Sequence, residues 1–577
     1  GYAYRRAFSV SNDVLRAQRR LAVAQVEFSA DVYANLREDV KRVEAAERRQ
    51  PVFAVDPLAE ADVRWIDEAT EVDIATDRAW TVTNRVVKEI LTYKGKKGSA
   101  ELEFSFNPCV ETFDLVSATV SNRDGRVYSV SPREKNVMDC GWAASAPRYP
   151  ASKILVVNLP SVEIGSTISY TTVRAVTNAS AAYYGVFGFD SHEPLGRRFV
   201  RVNGWTREVH NPRRVPNEPS QPAASLWRDQ VIVSSNRFAR LDLKVAPLRS
   251  DVLPDGATVR EIRDWMARHV KIAGPGLYEL PLGRQLTDPA VVLKERYATR
   301  LDYVRTLCAL LKGAGYAANV VLAADNANDP APIRNRIKFE KPNVRAFSAA
   351  LCRVRVRDGG FLGFGGETKT YFLGTENEYA PLGPTAYAGS DVFDPAAGAF
   401  AVVTVPEADF RDRTGETSEF LVREDGAVDL TVVSSIWGSG VGGFRKRYAE
   451  ILPEDRSRLY QSILGSVAQA ASATRELEAD IEGYPATRRF SCYVPDFATV
   501  AGDTITVQLP ALVSSIPTFT GRARQTPFAV GAADAEFEEV TVRFPEGYTQ
   551  VEHLPEPFAF AAPDDPARPW LVCTVTS

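Results

Sequence analysis

The sequence predicts a multidomain α+β protein in which antiparallel β-sandwich domains flank an α+β unit. Three observations carry this. The chain has 577 residues, 45% of them hydrophobic and 25% charged, enough to bury several cores at about 100 to 200 residues per domain. From Val52 to about Val245 apolar and polar residues alternate between turn residues, the pattern of half-buried strands. Further on, two segments with N-cap signals and helical periodicity are interleaved with apolar strands. The expected division is a helical arm over 1–50, a β-sandwich over 51–250, an α+β domain over 251–410, and a C-terminal β-domain with an inserted helical segment over 411–577.

Residues 10 to 50 are free of Pro and Gly and stop before Pro51; their interspersed apolar residues fit helices that either pack on the next domain or form a partner-binding arm. Arg123, Asp124, Gly125 and Arg126 form a hairpin-type turn. Asn211 to Ser225, rich in Pro, reads as an extended loop within the β-region. A helix starts at Thr258 with Glu261 as its capping partner and Val259, Ile262, Met266 and Val270 on one face. His269 rides beside that face as a structural histidine.

A second helix opens at Thr299, a good N-cap, with Asp302 three residues on in a capping-box-like pair and Leu301, Val304, Cys308 and Leu311 at helical spacing. Gly359 to Lys369 is a Gly-rich hairpin tip carrying Phe361 and Phe364, a tight turn or a contact surface. Gly438 to Gly443 fits GxGxxG after a strand, but a dinucleotide fold needs a second parallel strand about 20 residues on. The stretch from Phe444 to Ile481 reads instead as a long helical run, so a cofactor is not expected there.

Composition narrows the chemistry. A formal net charge of -4 gives no reason to propose nucleic acid or an anionic membrane as partner. No apolar run approaches the roughly 20 residues that span a bilayer. The chain opens on Gly1, so a processed or truncated N-terminus is expected. Cys109, Cys140, Cys308, Cys352, Cys492 and Cys573 show no metal-ligand spacing and read as buried small hydrophobes; Cys109 and Cys140 could pair in an oxidising compartment. His192, His210, His269 and His553 share no HxH or HExxH spacing, so no metal site is expected. A GxSxG elbow is absent, whereas carboxylates far apart in sequence could still converge for glycan hydrolysis.

The stretch Val292 to Asp325, VLKERYATRLDYVRTLCALLKGAGYAANVVLAAD, resembles the nucleophile helix of a transglutaminase-like (papain-like) domain, in which a turn of the type Gly-x-Cys-x-Asp opens the helix. Here that turn reads Ala298, Thr299, Arg300, Leu301, Asp302, with Arg300 at the cysteine position. The family's histidine stands in a motif like Phe-Asn-His, matched by Phe347, Ser348 and Ala349. Its acid stands in a motif like Trp-Leu-Asp-Ala-Thr, matched by Tyr371, Phe372, Leu373, Gly374 and Thr375, with Asp394 a second candidate. Residues from about Ala54 to Thr177, through VVKEILTYKGKKGSAELEFSF and Val162 to Ser166, resemble the β-rich domain of unknown function that precedes such domains in bacterial envelope proteins. Residues after the middle domain resemble that family's C-terminal β-domain.

The resemblance implies a scaffold without its chemistry. A cysteine in a first helical turn gains thiolate character from the macrodipole and needs a histidine base. Arg300 is no nucleophile, and its charge opposes the dipole at about 0.3 to 1 kcal/mol; it is a solvated or paired surface residue, or part of an anion site. No histidine lies between Val270 and Glu552. Cys308, two turns into the helix on its apolar face, reads as core. The expected function is therefore non-catalytic, binding a protein or a peptide or glycan ligand, or scaffolding an assembly, in the periplasm or at the cell surface. Arg300, Asp302, Ser348, Ala349 and Gly374 are expected to line the vestigial cleft. A residual hydrolase, by rearranged acyl transfer or by carboxylates, is the alternative.

Overall fold

The computed structural model describes residues 61–179, 181–218, 221, 224, 227–234, 242–329, 331–357, 367–508, 526, 535–552, 558–561 and 572–575. The expected helical arm over 1–50, the tip with Phe361 and Phe364, and His553 lie outside these residues. The described chain is β-rich and multidomain, with several separate hydrophobic cores.

The first domain contains β1 (Val63–Thr76), β2 (Ala79–Ile90), β3 (Glu101–Phe106), β4 (Glu111–Ser121), β5 (Val127–Ser129), β6 (Lys135–Asp139), β7 (Lys153–Asn158), β8 (Thr167–Val176), β9 (Tyr184–Gly188), β10 (Leu195–Val202), β11 (Trp205–His210) and β12 (Gln230–Ser234). Seven of them form one sheet in the order β11-β10-β1-β2-β8-β4-β5, and β3-β7-β6 form a second. Inward residues of both, among them Leu102, Leu155 and Val157 from one and Ile90, Leu115 and Ile168 from the other, share a core, the packing of a sandwich. The hairpin turn at Arg123–Arg126 closes by Asn122 N donating to Arg126 O at 2.9 Å, with Gly125 at φ 81°, a left-handed position that glycine takes without penalty.

Within this domain one strand pairing departs from the antiparallel expectation: β1 runs parallel to β10. Arg197 Nη1 donates to Asp67 at 2.8 Å and Arg201 Nη2 to Glu71 at 2.6 Å, while Arg198 Nη2 donates to Glu68. These complementary cross-strand charges join segments 130 residues apart, a separation that alternation within either strand does not report.

In the middle domain Thr258 caps the helix Val259–His269 in a full capping box with Glu261, and Ile262 and Met266 are fully buried. Two short strands come next, β13 (Lys271–Ile272) and β14 (Tyr297–Ala298). The helix Arg300–Gly313 then leads into β15 (Ala317–Ala323), β16 (Ala349–Arg357), β17 (Thr368–Leu373), β18 (Asp391–Asp394) and β19 (Ala399–Val402). These five form an antiparallel sheet in the order β17-β16-β15-β18-β19. The helix buries every residue from Leu301 to Leu311, with Leu307, Cys308 and Leu311 meeting Val320, Cys352 and Val354 in one core. Val321, Leu351, Phe372 and Val392 form a second layer with Val403. At the helix end a Cβ on Gly313 would sit 2.0 Å from Leu248 O, so the preceding segment crosses the helix at backbone distance.

The C-terminal domain is built on the hairpin of β20 (Arg413–Val422) and β21 (Val428–Trp437). The strand Ala486–Val494 pairs antiparallel with β21, and Ala535–Arg543 pairs parallel with β20. The helical run expected from Phe444 to Ile481 is shorter. It is broken into Gly440–Glu450 and Pro453–Val467, because Pro453 lacks the N–H and disfavours helical geometry at the residue before it. Residues Ser472–Ala473 and Glu478–Asp480 are strands. Both pair with Ala486–Val494, which runs antiparallel to β21, and none of the described strands after the glycines pairs parallel with β21, as a dinucleotide site requires.

Candidate functional site

The residues expected to line the cleft lie at the start of one helix, at the start of β16 and just past the end of the edge strand β17. Arg300 is the first residue of its helix and is exposed. Thr299 caps the turn, its hydroxyl accepting from Asp302 N at 3.1 Å. The Arg300 guanidinium reaches 3.5 Å from Thr375 Oγ1, on the loop that leaves β17. The preceding residue, Gly374, is buried and donates its N–H to Glu376 Oε2 at 2.7 Å; a Cβ on Gly374 would lie 3.2 Å from both Leu351 Cδ2 and Glu376 Oε1. Ala349 opens β16 and packs with Tyr387 on the second core layer. Ser348 beside it is exposed.

Two ionisable groups missed in the sequence belong to this place. Burial pushes the Glu376 carboxyl above its ordinary range, although its own N–H, that of Gly374 and the charge of Arg263 oppose the shift. Burial likewise pushes the Tyr387 phenol up, with Asp325 and Glu376 adding to it and Arg300 opposing. The only local signal for Glu376 is an acid two residues beyond Gly374, the motif's acid position.

Asp302 needs correction. It is fully buried and does not face the cleft. Its carboxylate accepts from Tyr149 Oη at 2.6 Å, Thr287 N at 2.9 Å and Arg305 Nη1 at 3.0 Å, so its lone pairs are taken by a tyrosine of the first domain rather than by the Thr299 N–H that a capping box would use. That N–H donates to Tyr149 Oη at 3.3 Å. Asp394 is similarly engaged, by Asn319, Arg353 and the Ala396 N–H.

Candidate nucleophiles and bases are held elsewhere. Cys308 and Cys352 are fully buried, and burial together with contact from Cys308 raises the Cys352 thiol well above its ordinary value. His192 Nδ1 meets Val215 O at 2.8 Å, His210 pairs with Glu208, and His269 stacks on Trp265 with its Nδ1 2.8 Å from Trp265 O. Cys109 and Cys140 are free thiols. Among the described residues no grouping of three His, Cys, Asp or Glu is arranged to hold a metal, and no helix is long and apolar enough to cross a membrane. A shallow cavity of about 650 Å³ lies in the β6–β7 connection, lined by Asp139, Cys140, Tyr149 and Pro150 among others; Arg300 is not part of its wall.

Around Arg300 the structure thus places a cation, the Thr375 hydroxyl, a phenol and a carboxyl that holds its proton more firmly than usual. These groups can hydrogen-bond a polar ligand. None is an activated nucleophile.

Residues 76–215 match the family model of a domain of unknown function with a solved structure, DUF3857. The match begins inside the expected span, Ala54 to Thr177, and runs past its end through β10 and β11. Among solved structures the chain is similar to a protein of Parabacteroides distasonis described provisionally as a protease, at 12% identity and a TM-score of 0.46, covering 75% of this chain and 93% of that one. A carbohydrate-binding-module domain, CBM3a-L, with flanking linkers, from a cellulosome scaffoldin of Clostridium thermocellum, matches at 10% identity and a TM-score of 0.13, covering 20% of this chain and 68% of that one. No curated protein matches the chain.

Proposed function

We propose that the middle domain is a transglutaminase-like fold that has lost its triad, and that the protein is a non-catalytic binding or scaffolding component of the bacterial cell envelope. The observation that carries this reading is Arg300 at the first position of the central helix, where the resemblance expects the cysteine. Its charge opposes the dipole that would activate a thiol. Ala349 and Gly374, at the expected histidine and acid positions, supply neither base nor orienting group. The ligand is a peptide or glycan that takes hydrogen bonds from Arg300, Ser348 and Thr375. The buried Asp302 is no part of that surface.

The second reading, a carboxylate-based hydrolase, is favoured by one observation, the raised carboxyl of Glu376, a property of general acids. One experiment separates the two. The purified chain is incubated with fluorogenic amide, transamidation and oligosaccharide substrates, and separately with immobilised peptidoglycan fragments and peptides, alongside Arg300→Ala and Glu376→Gln. Binding lost in Arg300→Ala without turnover on any substrate supports the proposal. Turnover abolished in Glu376→Gln would replace it with the hydrolase.

A further inference from the structure

The loop from Gly374 to Ser390 supplies Thr375, Glu376 and Tyr387 to the cleft, and its middle is gripped by two buried arginines from different domains. Arg263, on the helix Val259–His269, donates to Ala380 O at 2.5 Å and to Pro381 O at 3.0 Å. Arg445, on the helix Gly440–Glu450 of the C-terminal domain, donates to Tyr379 O at 3.2 Å and to Glu482 O and Gly483 O at 3.2 and 2.9 Å. Three consecutive carbonyls of the loop are therefore held by guanidinium groups on residues only 1% and 6% exposed. Gly442 allows the approach, since a Cβ there would lie 2.8 Å from Ala380 Cβ.

The facing wall is gripped from the other side. Tyr149, in the connection between β6 and β7 of the first domain, donates to Asp302 and accepts from the Thr299 N–H, so it holds the turn that presents Arg300. Arg148 supports it, donating to Tyr149 Oη at 2.8 Å and stacking over Tyr297 at 4.3 Å. Ala146, Tyr149 and Leu280 are buried together around this contact. Removing either grip strands buried polar partners, the expensive case for a hydrogen bond.

We propose that the two flanking domains regulate the cleft by holding its opposite walls, Tyr149 fixing the turn that bears Arg300 and Arg445 fixing the loop that bears Thr375 and Glu376. This rests on the reading of the cleft as a binding site. Linkage then makes the effect reciprocal: a partner that shifts either outer domain changes cleft affinity, and a cleft ligand changes domain docking by the same factor.

Hydrogen exchange measured by mass spectrometry on the full chain tests this without a ligand. In Tyr149→Phe the amides of Thr287 and Thr299 exchange about tenfold faster, while those of Tyr379 and Ala380 keep the parent rate. In Arg445→Met the pattern reverses. Arg423→Met, which removes an exposed pair with Asp429 in the same C-terminal domain, changes neither. Parent rates at both walls in both variants, or uniform acceleration across 251–410, overturn the proposal. If Arg445→Met fails to fold, Arg445→Lys, which cannot span all three carbonyls, is measured under the same criteria. Absence of any cleft ligand would sink the binding reading and leave this outcome standing.

Discussion

At the residue scale, Arg300 separates scaffold from chemistry. In Arg300→Cys the helix terminus still supplies its dipole, so the new thiol is expected to react rapidly with iodoacetamide at neutral pH. Cys308 and Cys352, both fully buried, stay unlabelled until the protein unfolds, which peptide mapping reads directly. The variant is expected to show no amide turnover, because general-base help typically contributes about 10²- to 10⁴-fold and the imidazoles of the described residues, His192, His210 and His269, are engaged elsewhere. Adding Ala349→His and Gly374→Asp would complete a triad, but a Cβ on Gly374 lies 3.2 Å from Leu351, so the acid enters only if that side chain shifts. Asp302→Ala is a stability variant. It leaves Arg305, 8% exposed, without its carboxylate, and removal of one partner from a buried pair costs about 3 to 5 kcal/mol. A urea midpoint that falls with an unchanged slope is the expected result.

Among the elements, β18 is anchored by charge. Asp391 accepts from Arg334 at 2.7 and 2.9 Å, Asn326 at 3.0 Å and Lys338 at 3.1 Å. Burial pushes its carboxyl up, and the hydrogen bonds from Arg334, Asn326 and Lys338 outweigh it, leaving the group below its ordinary 3.8. A carboxylate with a depressed folded value contributes stability above the unfolded value and loses it as pH falls through the folded one. Thermal melts are therefore expected to fall from about pH 4 downward, and Asp391→Asn to flatten that fall while lowering the melt at neutral pH. Legibility in the sequence divides along the same line between near and far. The caps at Thr258 and Thr299 and the buried face of the helix Val259–His269 could be read because their partners lie within four residues. The parallel pairing of β1 with β10 could not, nor could the grip of Tyr149 on a carboxylate 153 residues away, since a single tyrosine carries no periodicity. The role given to Asp302 failed for that reason: its spacing is right, and its partner is in another domain.

For the whole molecule, the first and middle domains meet through the polar network of Tyr149, Thr299 and the buried Asp302. They are expected to unfold in one calorimetric transition, with Tyr149→Phe separating it into two. Two resolved transitions in the parent protein would show that the junction is too weak to couple them.

The parallel pairings also set a timetable. The first domain's large sheet cannot close until β10 exists, 130 residues after its partner, and β20 waits for a strand 124 residues downstream. Such long closures are slow. During synthesis β1 and β20 therefore spend a long interval with a bare edge, the state in which strands find wrong partners. The middle domain, whose five strands pair over shorter spans, has no such delay. It is expected to be the earliest of the three to be finished on refolding, with its outer neighbours arriving later and more sensitive to protein concentration.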